Sequence, residues 1–128
     1  MTFGIPRELR IHEKRVGALP FVVKEIIKNG HEVLVETGAG EYCEALDSQY
    51  ERVGAQIVPS SEKLYSMADI ILKIREHQPV ELELIRPEQI FFSFFHFINN
   101  PELVKTLAGK GSTCLSYEFV EDDHKRKP

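Results

Sequence analysis

The chain has 128 residues, 42% of them apolar and 28% charged, with a formal net charge of −4 at pH 7. These values are typical of an ordinary globular protein and exclude a disordered one. The acidic balance excludes the basic face of nucleic-acid-binding proteins, and no apolar run is long enough to cross a bilayer. The two cysteines lie far apart without metal-ligand spacing, so we expect no metal site, no nucleic-acid or membrane partner, and a cytoplasmic location.

Short runs of β-branched and aromatic residues alternate with helical patterns along the chain. The predicted strands are 3–5, 31–36, 56–58, 70–74, 90–95 and 113–119. Between the first two strands, apolar residues from Leu19 to Ile27 recur at helical spacing, and Pro20 suits the first turn of that helix.

The sequence predicts three further helices. Asp47 is expected to cap one and Ser60 or Ser61 the next, because these side chains accept hydrogen bonds from the free N–H groups of a first turn. Asn100 is expected to begin the last helix, since Pro101 follows at the first helical position.

Strands that alternate with helices predict an α/β fold with three layers. We expect a mostly parallel sheet with helices on both faces, of the flavodoxin-like or Rossmann-like type. The run 90–95 is apolar at alternating positions on both faces, which predicts a central buried strand. The pattern contains no linker or repeat, so we expect one domain over residues 1–128.

Polar side chains are predicted just beyond the ends of several strands. Arg15 lies in the segment after the first strand, Arg75 follows the fourth directly, and His96 follows the fifth directly. Tyr117 and Glu118 end the last predicted strand. Because parallel sheets bind ligands at the carboxyl ends of their strands, and guanidinium groups bind carboxylates, these positions predict a cleft for a small anion.

Several of these residues also have a purely structural interpretation. His96 is either a core histidine with satisfied ring nitrogens or a group held at the mouth of a cleft for chemistry. The run that contains Glu8 and Glu13 is expected to be mostly a solvated face, and Lys73 to extend its ammonium group to solvent from a strand end. The other histidines, including His77, fall in polar or loop contexts with no visible partner.

Several segments occur in the order found at the start of one enzyme family. They are FGIPRE, RVGALP, NGHEVLVETGAG, VGAQIV, ADIILKI, FFSFFHF and SYEFVE. Together they make the chain, from about residue 3 to about residue 121, resemble the alanine dehydrogenase and pyridine nucleotide transhydrogenase family. A histidine follows the FFSFF strand in the alanine dehydrogenase branch and is generally lacking in transhydrogenases, so His96 makes the resemblance closer to the first branch.

The resemblance implies the reversible conversion of L-alanine to pyruvate and ammonia with NAD or NADP as cofactor. It implies that His96 is the catalytic proton donor or acceptor in a dry site and that Arg15 binds the substrate carboxylate. Arg75 stands where the family has a second substrate-binding lysine, and arginine keeps the charge but cannot transfer a proton. This departure leaves a saccharopine-type enzyme of the lysine pathway as an alternative.

The family continues beyond this point through a complete dinucleotide-binding domain, whereas this sequence ends at Pro128. The segment ETGAGEYC (36–43) lacks the third glycine of a dinucleotide fingerprint and predicts only a turn. We therefore expect an amino-terminal substrate-binding lobe that binds no cofactor tightly and is inactive in isolation. The alternative from another class is a non-catalytic module that binds a small carboxylate and works with a separate subunit. In the family the chain later returns to complete this lobe, and the apolar surface left uncovered without that segment predicts self-association as a homo-oligomer.

Overall fold

A computed structural model describes residues 1–127, and it contains one six-stranded sheet. The strands are β1 (Thr2–Ile5), β2 (Glu32–Glu36), β3 (Gln56–Val58), β4 (Ile70–Arg75), β5 (Ile90–Phe94) and β6 (Thr113–Ser116). Their order is β3-β2-β1-β4-β5-β6, and each neighbouring pair is parallel. The predicted α/β, Rossmann-like class is confirmed.

Helices cover both faces of this sheet. They are α1 (Pro20–Lys28), α2 (Asp47–Arg52), α3 (Ser61–Met67), α4 (Pro79–Leu82) and α5 (Pro101–Gly109). One core contains buried residues of α1 and α2, and a second contains buried residues of α3 and α5. Adjacent residues of β2 point into different cores, which confirms three layers. Among residues 1–127, no helix is long and apolar enough to span a bilayer.

The predicted helix starts have mixed outcomes. Ser60 precedes α3, and its hydroxyl accepts a hydrogen bond from the N–H of the third helical residue, as predicted. Asp47 was predicted to cap α2, but it is the first helical residue. Its carboxylate instead accepts hydrogen bonds from Thr37 Oγ1 at 2.6 Å and Gly38 N at 2.9 Å, which holds the loop after β2. Asn100 precedes α5 without a side-chain cap bond.

The last two strands depart from the prediction. β6 ends at Ser116, and Tyr117–Phe119 form a 3₁₀ turn instead of continuing the strand. β5 is an interior strand, paired with β4 and β6, but only one of its faces is fully buried, because Phe92 and Phe94 on the other face are half-buried. Phe92 lies on the same face of the sheet as α1 and α2. These two helices contact β2 and β3, at the other end of the strand order from β5 and β6.

His77 is buried among aromatic rings, although a polar loop context was predicted. It is 4% exposed, and its ring centroid lies 4.5 Å from that of Phe91, edge to face, and 6.0 Å from that of Phe95. Among the described residues, neither of its ring nitrogens has a hydrogen-bond partner. Burial, with a smaller contribution from the charge of Lys73, lowers the pKa of His77 from 6.5 to about 3.

This histidine is expected to make the fold sensitive to acid. The folded chain holds the neutral imidazole, whereas the imidazole of the unfolded chain takes up a proton below pH 6.5. The contribution of His77 to the free energy of unfolding is therefore fully present above pH 6.5 and is lost as the pH falls towards 3. Between pH 7 and pH 4, the free energy of unfolding measured in urea should fall by about 3 kcal/mol more for the wild type than for His77→Phe. Equal losses for the two proteins would contradict this assignment.

Candidate active site at the carboxyl edge of the sheet

The carboxylate of Glu13 joins two arginines from segments far apart in sequence. Its Oε1 accepts hydrogen bonds from Arg15 N at 3.0 Å and Arg15 Nε at 2.8 Å. Its Oε2 accepts from Arg15 Nη2 at 2.7 Å and from Arg75 Nε at 2.9 Å. The Glu13 side chain is 7% exposed, so the solvated face expected for this run is wrong at this position. The hydrogen bonds from Arg15 above all hold the pKa of Glu13 well below its usual range.

His96 lies shortly after β5 at the same edge of the sheet. Its backbone is left-handed with φ of 50°, an uncommon conformation for a residue other than glycine. The imidazole is 41% exposed, which makes the core-histidine interpretation wrong. The same exposure means that residues 1–127 do not themselves provide the dry site that the resemblance implied.

Two side chains orient the His96 ring. The backbone N–H of His96 donates to Glu118 Oε1 at 2.8 Å, and Nδ1 lies 3.5 Å from the same oxygen. Nε2 lies 3.3 Å from Arg75 Nη1. Because a guanidinium only donates, a hydrogen bond between these atoms has Nε2 as its acceptor and leaves the ring proton on Nδ1, on the side of Glu118.

Glu118 is itself held in place by its neighbours. Ser116 Oγ donates a hydrogen bond to Glu118 Oε2. Partial burial acts to raise the pKa of Glu118, but the hydrogen bonds from Ser116 and from the His96 backbone outweigh it and lower that pKa. An ionised carboxylate beside Nδ1 favours the tautomer assigned above.

Lys73 forms a buried cluster beneath these residues instead of reaching solvent as predicted. Its Nζ lies 2.6 Å from Glu81 Oε1 and 3.7 Å from Glu8 Oε2, and all three side chains are 2% exposed or less. Tyr65 OH also donates to Glu81 Oε1, at 3.1 Å. The solvated face predicted for this run is therefore wrong at Glu8 as well as at Glu13. Burial raises the pKa of Glu8.

Glu8 also fixes the backbone that carries Arg75. Its two carboxylate oxygens accept hydrogen bonds from Ile74 N at 2.6 Å and from Arg75 N at 3.3 Å. The loop after β1 is thus attached to the end of β4, where the register of the sheet shifts between Leu72 and Arg75.

The structure brings together all three residues predicted from the sequence to form a site. Arg15 and Arg75 share Glu13, and Arg75 contacts His96. The prediction missed Glu13 as a member. Its position two residues before Arg15 was the only available signal, because nothing in the sequence shows that it also reaches Arg75.

Other nearby groups do not join this site. Arg10 pairs with Glu76 at 2.5 Å, and Tyr117 stacks on Phe92. Over the described part of the chain, no group of three or more His, Cys, Asp or Glu side chains is arranged to hold a metal ion. The glycine segment after β2 forms a turn followed by a short 3₁₀ helix, Glu41–Cys43, as the missing third glycine predicted.

Comparison with known proteins identifies the family. Residues 4–128 match the family described as alanine dehydrogenase/PNT, N-terminal domain. The chain belongs to this family. The alanine dehydrogenase of Bacillus subtilis is 36% identical over 122 residues, which are 95% of this chain and 32% of that protein. The chain thus spans about a third of the length of the curated relatives it matches.

Solved structures of the family show the same architecture. An L-alanine dehydrogenase superposes with a TM-score of 0.95 at 34% identity, covering 100% of this chain and 35% of that one. A transhydrogenase from Sinorhizobium meliloti superposes with a TM-score of 0.88 at 28% identity, covering 93% of this chain and 35% of that one. The resemblance inferred from the sequence is therefore confirmed.

Removal of the single cation from the buried cluster should be strongly destabilising. Lys73→Met leaves two buried carboxylates without their cation, and loss of one partner of such a pair costs about 3–5 kcal/mol in the free energy of unfolding. Lys105→Met is the matched control, because Lys105 forms an exposed pair with Glu102 and should cost less than about 1 kcal/mol. Similar urea midpoints for the two variants would show that the two carboxylates do not depend on Lys73 for charge compensation.

Proposed function

We propose that this chain is the substrate-binding lobe of an alanine dehydrogenase-like oxidoreductase. Its substrate would be a small 2-oxoacid or amino acid, with pyruvate and L-alanine as the first pair to test. The observation that carries the proposal is the continuous set of contacts from Arg15 through Glu13 and Arg75 to His96 at the carboxyl edge of the sheet. Membership of the family supports it.

Each of the three residues has a distinct proposed role. Arg15 and Arg75 bind the substrate carboxylate, because guanidinium groups present parallel N–H donors to both carboxylate oxygens. His96 exchanges a proton with the substrate oxygen or nitrogen through Nε2, which a bound substrate would take over from Arg75. Holding the carboxylate fixes the distance between the reacting carbon and the imidazole.

Arg75 limits the chemistry to one proton-transferring group among these residues. A lysine at this position could lose its proton to the substrate, whereas a guanidinium stays charged at every working pH. We therefore assign proton exchange to His96 alone and carboxylate binding to Arg75. Glu118 keeps the Nδ1 proton in place, so the exchange occurs at Nε2.

The redox part of the reaction needs NAD or NADP. When bound, the nicotinamide would accept or deliver the hydride at the substrate carbon. No residue of this chain is assigned to it, because the glycine turn after β2 lacks the third glycine of a dinucleotide fingerprint and leads into a single 3₁₀ turn, Glu41–Cys43. We propose that residues 1–128 form one domain and that turnover requires a nucleotide-binding part outside it. We also propose a homo-oligomer, which would cover exposed apolar residues such as Leu115 and Phe119.

Pyruvate binding to the 128-residue chain is the direct test. Addition of pyruvate to the ¹⁵N-labelled chain should shift the amide signals of Arg75, His96 and their neighbours. Arg15→Met should weaken this binding by about tenfold or more, because it removes charge-assisted hydrogen bonds. Arg52→Met, at an exposed position on α2, is the control and should bind as the wild type does. No shift on addition of pyruvate to the wild type would overturn the proposal.

The proton-transfer role is tested in the natural gene product, whose length is first established by intact mass. His96→Gln should lower kcat for alanine oxidation by about 10²–10⁴-fold, the usual contribution of a general base. His31→Gln is the matched control, because His31 lies at the opposite end of the sheet, just before β2. An unchanged rate in the His96 variant would remove that residue from the mechanism.

A further inference from the structure

Two guanidinium groups and one carboxylate form the core of the proposed substrate site. Arg15 and Arg75 contribute two positive charges, and Glu13 contributes one negative charge through contacts to both. We propose that Glu13 is a specificity-determining residue that makes the site select 2-oxoacids with one carboxylate over those with two. This inference rests on the proposed function and names its substrate class.

The position of Glu13 is over-determined by its contacts. Its two oxygens accept hydrogen bonds from three side-chain N–H groups and one backbone N–H group, all between 2.7 and 3.0 Å. The side chain is 7% exposed, and its pKa lies well below the usual range. Glu13 is therefore a fixed anion at any pH at which the protein would work.

Glu13 occupies some of the hydrogen-bond donors of the two arginines and leaves others free. A guanidinium carries five N–H donors, and Glu13 occupies the Nε and one Nη2 donor of Arg15 and the Nε donor of Arg75. Arg75 Nη1 also contacts His96 Nε2, and the other donors of the two guanidinium groups are available to an external carboxylate. Arg15, Arg75 and Glu13 together carry a net charge of +1, so Glu13 removes one of the two positive charges that the guanidinium groups would present to a ligand.

A second carboxylate on the ligand would meet unfavourable charge. Glu13 contacts both arginines and Glu118 lies beside His96, so the proposed site contains two carboxylates of its own. Arg10, the next arginine of the same loop, is already paired with Glu76 at 2.5 Å. The fixed anions therefore repel a dicarboxylate more than a monocarboxylate. The single carboxylate of a monocarboxylate binds to the guanidinium groups, whereas the second carboxylate of a dicarboxylate has no free cation among these residues.

The size of this effect follows from Coulomb's law. Removal of one charge about 7 Å from the second carboxylate, at an effective dielectric constant of about 40, changes relative affinity about fivefold to tenfold. The measured quantity is the ratio of the Kd of pyruvate to the Kd of 2-oxoglutarate. The wild type and the variant are titrated with the same two ligands. The effect of ligand size on Kd therefore cancels when the ratio is compared between the two proteins.

The experiment titrates both ligands into four forms of the chain and follows amide shifts. The wild type should bind pyruvate more tightly, and Glu13→Gln should shift the ratio about fivefold towards 2-oxoglutarate. Glu13→Asp keeps the charge, so its ratio should stay at the wild-type value even if both affinities fall. Glu51→Gln, an exposed residue of α2, makes the same change in net charge away from the site and should leave the ratio unchanged.

The outcomes separate this inference from the proposed function. Pyruvate binding with a ratio that stays within twofold in Glu13→Gln overturns the charge selection but leaves the substrate-binding lobe standing. An equal shift in Glu13→Asp shows that side-chain length, not charge, sets the preference, and also overturns it. If the amide spectrum of Glu13→Gln shows that the variant does not fold, the wild type alone provides the test. The inference is then overturned if the wild type binds 2-oxoglutarate more tightly than pyruvate. A wild-type chain that binds neither ligand overturns both proposals.

Discussion

The ammonium group of Lys73 is enclosed at the end of β4, and the geometry of the site depends on how its charge is compensated. A buried charge costs several kcal/mol unless partners surround it. Glu81 from α4 and Glu8 from the loop after β1 supply those partners, so both segments are held against this strand. Since the same loop carries Glu13, that carboxylate is brought within reach of Arg75.

Charges of alternating sign then extend from this buried cluster to the surface of the sheet edge. Glu13 binds Arg75, Arg75 donates to His96, and Glu118 lies on the other side of the imidazole. The guanidinium groups are thus oriented by the protein's own anions before any ligand arrives. Such preorganised dipoles and charges need little rearrangement when charge develops in a reaction. The arrangement also explains how His96 keeps a left-handed backbone conformation, because Glu118 holds its N–H.

Much of this architecture could be predicted from local patterns. Alternating strands and helices require a parallel sheet, and parallel strands bring their carboxyl ends to one edge, so the positions of Arg15, Arg75 and His96 just past three strands predicted a common site. Family-specific segments added the proposed roles. These predictions depend on chain order and handedness, which are properties that a sequence carries directly.

The burial of individual polar residues was decided only by the tertiary structure. Glu8, Glu13 and Lys73 follow patterns typical of solvated surface, yet they are buried because partners distant in sequence compensate their charges. His77 is buried because the rings of β5 and its neighbours surround it, although its local sequence is polar. The sequence by itself determined the fold class and the edge at which the candidate site lies. Which carboxylates enter the site was decided by tertiary packing, because the cost of burying a charge depends on all the groups that surround it.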